Sequence, residues 1–208
     1  DGGTGIGTIV LTVVLPNGSQ STTSCTLSPC NTTPFTAEGN YTFNATANDT
    51  VGNVGTLSAR TVTLDNTNAS IVLNAPANAT NTTATTINFN WTATDNIDTT
   101  LVCNLTINGA VNQSNVESTN GTAVNRSIGG FADRRYDWNV TCLDDAGNSN
   151  TSVTRTFTVD TVVANVVLNA PSDGRITGDT SITFNWTATD ALDSTLACNL
   201  TIAGVLNQ

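Results

Sequence analysis

Lysine, histidine and methionine are absent from this 208-residue chain, and six arginines are its only basic residues. Against 16 Asp and Glu they leave a net charge of −10. Nucleic-acid partners require a basic surface, and so does an anionic membrane, so neither is expected. Without His there is no imidazole base for a Ser or Cys nucleophile, and zinc loses its commonest nitrogen ligand. Aspartates are plentiful enough for a glycosidase-type carboxylate pair, but no pair is singled out, and the chain reads as non-enzymatic. Aromatics make up only 5% of it, so each core is small. No apolar run reaches the length of a membrane span. Ile9-Val-Leu-Thr-Val-Val-Leu15 is too short and lacks the preceding basic residues of a signal peptide, so it reads as a strand. Any export signal or anchor is expected outside this stretch. No segment has helical periodicity.

What the chain does have is a repeat. Thr86-Ile-Asn-Phe-Asn-Trp-Thr-Ala-Thr-Asp95 returns 95 residues later as Ser181-Ile-Thr-Phe-Asn-Trp-Thr-Ala-Thr-Asp190. Residues 70–113 and 165–208 agree at 26 of 44 positions without a gap, which is internal duplication. Ile87, Phe89, Trp91 and Ala93 alternate with polar residues, the period-two signature of a strand with one buried face. Tyr41 and Tyr136 open a second pair of matching stretches at the same offset. The spacing divides the chain into 1–65, incomplete at its start; 66–160, complete; and 161–208, the first half of a further unit. In the complete unit strands are expected at 70–74, 85–94, 101–107, 121–128, 136–143 and 152–159. Turn signals such as Asn108-Gly109 and Asp144-Asp-Ala-Gly-Asn148 lie between them. Short strands with turns at this spacing indicate an all-β, antiparallel two-sheet sandwich.

Five cysteines point to an oxidising compartment and an extracellular location. Cys103 is in phase with Leu101, Leu105 and Ile107, and Cys142 with Tyr136, Trp138 and Val140. Both face inward and are paired on that ground, against the alternative of free buried thiols. Cys25 and Cys30 close a small loop. Cys198, the repeat of Cys103, is left unpaired or paired outside this segment.

The order Val-Leu-Asn-Ala-Pro, Phe-Asn-Trp-Thr-Ala-Thr-Asp, Cys-Asn-Leu-Thr-Ile-Asn-Gly, Tyr-Asp-Trp-Asn-Val-Thr-Cys-Leu-Asp-Asp-Ala-Gly-Asn and Phe-Thr-Val-Asp resembles the immunoglobulin-like repeats of prokaryotic, particularly archaeal, cell-surface and filament proteins. The resemblance implies tandem immunoglobulin-like sandwiches. The short linkers at 65–69 and 160–164 imply that these stack end to end. It departs from antibody domains at two points. The paired cysteines fall on neighbouring strands of one sheet, and Val140 rather than Tyr stands two residues before Cys142. In such a sandwich the Asp95–Asp98 and Asp144–Asp145 loops face the incoming linker. Asp65, Asp95 and Asp98 recur as Asp160, Asp190 and Asp193. Two readings of these carboxylates stand: turn-forming solvated Asp, and a Ca²⁺ site, which takes six to eight oxygens.

The motif Asn-x-Ser/Thr is carried by 17 of 28 asparagines. They are Asn17, Asn31, Asn40, Asn44, Asn48, Asn68, Asn78, Asn81, Asn90, Asn104, Asn112, Asn120, Asn125, Asn139, Asn150, Asn185 and Asn199. Ser/Thr abundance alone predicts roughly seven by the motif's spacing. Residues i and i+2 of a strand share a face, so Asn44/Thr46, Asn90/Thr92, Asn104/Thr106 and Asn139/Thr141 put their sequons on the solvent side. N-linked glycans there would hydrate the surface and discourage edge-to-edge pairing; the alternative is Thr suited to strands and Asn to turns. The expectation is a glycosylated extracellular filament or cell-surface rod. Its unfinished ends are completed either by flanking repeats of a longer chain or head to tail by further copies. The competing reading is an adhesin with a ligand-binding loop.

Overall fold

The computed structural model describes residues 5–207; residues 1–4 and Gln208, the repeat of Gln113, lie outside the described residues. Every helix or strand among the described residues is a strand. The first five are β1 (Ile6–Val14), β2 (Gln20–Cys25), β3 (Gly39–Asp49), β4 (Val54–Thr56) and β5 (Arg60–Leu64). They make a single sheet, β2-β1-β3-β4, with β5 sharing the free edge of β3. Nine strands follow: β6 (Ser70–Ala75), β7 (Thr80–Thr82), β8 (Thr86–Thr94), β9 (Thr100–Ile107), β10 (Ala110–Thr119), β11 (Ala123–Gly129), β12 (Arg134–Leu143), β13 (Ser149–Thr151) and β14 (Arg155–Val159). These form two sheets, β11-β8-β6 and β10-β9-β12-β14-β7, with β13 beside β12. Two hairpins come last, β15 (Asn165–Ala170) with β16 (Asn185–Thr189), and β17 (Leu200–Ile202) with β18 (Val205–Asn207).

The chain is therefore all-β, and residues 66–160 form a two-sheet sandwich. The alternating residues of β8, Ile87, Phe89, Trp91 and Ala93, share one buried cluster with Leu101, Leu105, Tyr136, Trp138, Val140 and Phe157 from the facing sheet. Phe89 joins the layers, its ring 5.1 Å from Trp138 and 5.7 Å from Phe157. Edge-to-face contacts of this kind add to the area the rings bury. Within the larger sheet Cys103 and Cys142 are direct cross-strand partners, disulfide-bonded with Cα atoms 4.0 Å apart. Cys25 and Cys30 form the second disulfide, and Cys198 is free and exposed.

Several sequence expectations need adjusting. β10, at 110–119, was not anticipated, because its alternation is interrupted. Its pairing with β9 slips twice, once on each side of Gln113, and Asn115 has φ +53°. An edge strand with irregular register loses the period-two signal. The strand expected over 152–159 is shorter, since β14 begins only at Arg155, and β13 at 149–151 is a separate short strand ahead of it that the sequence reading did not include. Pairing is antiparallel throughout except for β7, which runs parallel to β14. The tyrosine missing before Cys142 has a substitute. Tyr136 donates from its hydroxyl to the Ala132 carbonyl at 3.0 Å, and Tyr41 does the same to Ala37 at 2.6 Å.

The remaining strands repeat parts of this sandwich. β1 pairs with β3 as β9 pairs with β12, with Val13 opposite Phe43 where Ile107 is opposite Trp138. β15 and β16 repeat β6 and β8 down to the register, Leu168 opposite Trp186 as Leu73 is opposite Trp91. Their environments differ sharply: Leu73 and Phe89 are 4% and 0% exposed, whereas Leu168 and Phe184 are 78% and 37% exposed. Truncating Phe89 to Ala is expected to cost about 3–5 kcal/mol of sandwich stability. The same change at Phe184 should cost less than about 1 kcal/mol. Denaturant unfolding followed by Trp91 and Trp138 emission measures both; equal costs would contradict the packing described.

Candidate functional site: the inter-repeat joint and the outer faces

The acidic residues gather where one repeat meets the next. Asp65, Asp95 and Asp98 bring one carboxylate oxygen each to within 4.8 Å of one another, and Asp160, Asp190 and Asp193 do the same. Each cluster is built by turn hydrogen bonds. Asp95 Oδ1 accepts from the Ile97 and Asp98 amides at 2.9 and 3.1 Å. Asp190 Oδ1 accepts from Leu192 and Asp193 at 2.9 and 3.0 Å, and these amides hold its carboxyl below the usual range. Asp65 Oδ1 takes the Thr67 amide, and Asp98 Oδ2 the Asp145 amide. Two oxygens are left over: Asp65 Oδ2 and Asp95 Oδ2 are buried and have no donor. Two orphaned anionic acceptors are costly unless a cation sits between them.

The electrostatics at Asp65 show that strain. The Thr67 amide is the largest single influence and lowers its carboxyl. Burial and the charges of Asp95, Asp144 and Asp98 together outweigh it, and the carboxyl rises above its ordinary value. Asp144 contributes charge but no ligand, because both its oxygens are held by Asn148 at 2.7 and 2.8 Å. Asp145 offers its backbone N–H rather than its side chain to Asp98.

Other residues stitch the same joint, and of these the sequence singled out Asn150 alone, as a sequon. Glu38 Oε1 accepts from Thr67 Oγ1 at 2.7 Å and the Asn66 amide at 3.0 Å, while its Oε2 accepts from Asn96 at 2.8 Å. The Thr67 hydroxyl, then the Asn66 amide and Asn96, hold the Glu38 carboxyl low. Asn148 and Asn150 donate to the Asp65 and Ala69 carbonyls. One repeat later Asp133 takes the Glu38 role, accepting from the Thr161 amide and hydroxyl at 3.1 and 2.9 Å. The recurrence of an acid 95 residues on was the available signal.

None of the 17 sequon asparagines is buried, although their settings differ. Asn44 is exposed on β3. Asn104 and Asn139 lie on the outer face of the larger sheet, each directly opposite the other's sequon threonine. Asn90 donates to Asn125 at 2.7 Å within an outward-facing ladder of amides. Asn120 is different in kind. Both its N–H bonds are spent, on the Asp95 and Asp98 carbonyls at 2.7 and 2.6 Å, and its Oδ1 takes the Asp95 amide. It pins the acidic loop, so its amide is a structural clamp.

No family model matches this chain, and no curated protein does. Among solved structures it is similar to one titled "Structures of Clostridium thermocellum CbhA fibronectin(III)-like modules". That chain is 16% identical, with a TM-score of 0.43, over 76% of this chain and 80% of that one.

The raised Asp65 carboxyl carries a sign. The folded state binds the proton more tightly than the unfolded, so stability falls as pH rises through the carboxylate range, and the loss is complete above the raised value. Asp65→Asn keeps an acceptor for Thr67 and removes the charge. In chelator it is expected to melt higher than the parent at neutral pH, with the gap closing in acid. A variant that melts lower at neutral pH would contradict the crowding of charge at the joint.

Proposed function

We propose that this chain is a non-enzymatic, N-glycosylated structural module of an extracellular rod or filament, its repeats joined by short, hydrogen-bonded linkers. The observation that carries the reading is the placement of its sequons. They stand on both outer faces and on the turns, and none is buried. Two disulfides fit an oxidising compartment. No helix is long and apolar enough to cross a membrane among the described residues. Linkers tied to both neighbours through Glu38, Asn96, Asn148 and Asn150 favour a stiff joint, which suits a spacer better than a hinge.

Protein isolated from its native cells is expected to lose mass on removal of N-glycans, with the loss confined to peptides that carry Asn-x-Ser/Thr. Peptide mapping should find sugar on Asn44 and none on Asn120, whose N–H bonds are both committed. Native protein whose mass is unchanged by N-glycan removal would sink this reading.

We further infer that Ca²⁺ occupies the Asp65–Asp95–Asp98 cluster. The carboxylates are hard oxygen donors of the right kind, and the orphaned Oδ2 atoms of Asp65 and Asp95 have no other partner. A cation there would relieve the repulsion that raises the Asp65 carboxyl and would hold successive repeats in line. Millimolar Ca²⁺ is expected to raise the melting temperature of the parent and leave Asp65→Asn unchanged. An identical response from the two proteins would exclude this site.

A further inference from the structure

Exposure and the direction of the side-chain amide disagree about which sequons are open to sugar, and three asparagines of the 66–160 sandwich show it. N-linked sugar is attached at Nδ2. An asparagine suits it where the fold holds the side chain by its oxygen and leaves the nitrogen outward. Asn104 is half-buried on β9. Opposite it the β10 register slips, and the Asn115 amide, which has no partner residue in that register, donates to Asn104 Oδ1 at 2.9 Å. Asn78, between β6 and β7, is held in the same way. Its Oδ1 accepts from the Thr156 amide at 3.0 Å, and the neighbouring Ala79 amide donates to the Thr156 carbonyl at 2.8 Å. A backbone N–H can be accepted only by the oxygen of a side-chain amide. Both Nδ2 atoms are therefore turned away from that bond, and neither has a protein acceptor among the described residues.

Asn150 is the reverse. It is exposed, and by area alone it is a better site than Asn104. Its Nδ2 nevertheless donates to the Ala69 carbonyl of the linker at 2.7 Å, and its Oδ1 accepts from the Thr151 amide at 2.9 Å. A carbonyl is served only by the nitrogen, so the linker lies where a sugar would have to stand.

We propose that the fold selects among the sequons by the direction of the amide: in the folded protein Asn78 and Asn104 carry N-linked sugar, and Asn150, though exposed, does not. This rests on the glycosylated reading above and says which side chains it uses. Transfer joins Nδ2 to the anomeric carbon of a phosphate-activated sugar; the nitrogen gives up one proton, and the phosphate leaves with the bonding electron pair. At Asn78 and Asn104 the bond to Oδ1 survives this step, because the oxygen gives up nothing. The β10 irregularity and the loop before β7 stay tied down beneath the sugar. At Asn150 a bulky group on the nitrogen competes for space with the Ala69 carbonyl, and losing that bond unfastens the 65–69 linker. Selection by amide direction thus keeps sugar off a hydrogen bond that the joint needs.

Peptide mapping of protein from its native cells measures occupancy site by site. Asn78 and Asn104 are expected to be modified at least tenfold more often than Asn150. Sugar on Asn150 with Asn104 bare, the order that exposure gives, would overturn the selection and leave the glycosylated reading standing. Protein bare at every sequon would overturn both. A second measurement uses the unglycosylated chain with Asn78→Asp, Asn104→Asp and Asn150→Asp made separately. Aspartate keeps the acceptor oxygen and lacks the N–H. With salt added to screen the new charge, the first two variants are expected to melt with the parent. Asn150→Asp should melt about 4–8 °C lower, the shift that losing one hydrogen bond gives a domain of this size. Asn150→Asp melting with the parent, or the other two melting as low as it, would overturn the proposal.

Discussion

A sheet with one apolar face is stable only when something lies on that face, and in residues 66–160 the cover is secured by a side chain that crosses between layers. Phe89 leaves β8, meets Trp138 and Phe157 edge-on, and draws Phe131 and Tyr136 into the same aromatic group. In a chain this poor in aromatics, placing them together concentrates the apolar area where two layers must be held. The Cys103–Cys142 bond works within one layer and leaves the union of the two sheets to packing. That division of labour separates this sandwich from antibody domains, in which the bridge itself spans the sheets.

The same requirement explains why identical residues behave differently at different places along the chain. Leu168, Phe184 and Trp186 are, by sequence and by register, the residues of a sandwich core, yet they face outward for want of an opposing layer. On the β1–β3–β5 sheet Val13 and Tyr41 are buried, Tyr41 under Phe35, while Val62 is left 54% exposed. Full burial of a sheet's apolar face follows from what packs on it.

At the joint the governing term is electrostatic. Glu38 and its partner amides pull linker and loop together, while Asp65, Asp95, Asp98 and Asp144 crowd like charges beside them. Asn120 makes the crowding possible by clamping the acidic loop from behind. An asparagine in a sequon can thus be a fastening rather than an attachment point, and only its hydrogen bonds distinguish the two.

The repeat, the strand phase of β8 and β12, and the inward pairing of Cys103 with Cys142 were all readable from residue order, because a period of two and an offset of 95 are one-dimensional properties. β10 was not, because its bulges break the period. The joint was readable only in part. Its aspartates recur visibly, but Glu38 lies 27 residues from Asp65, and Asn120 is 22 residues beyond Asp98. Their roles come from where loops end in space. Which apolar residues are covered was also undetermined, since Phe89 and Phe184 sit in nearly the same local sequence and differ by whether a second sheet faces them. Periodicity assigns each side chain to a face; only the packing of one layer on another decides whether that face is an interior.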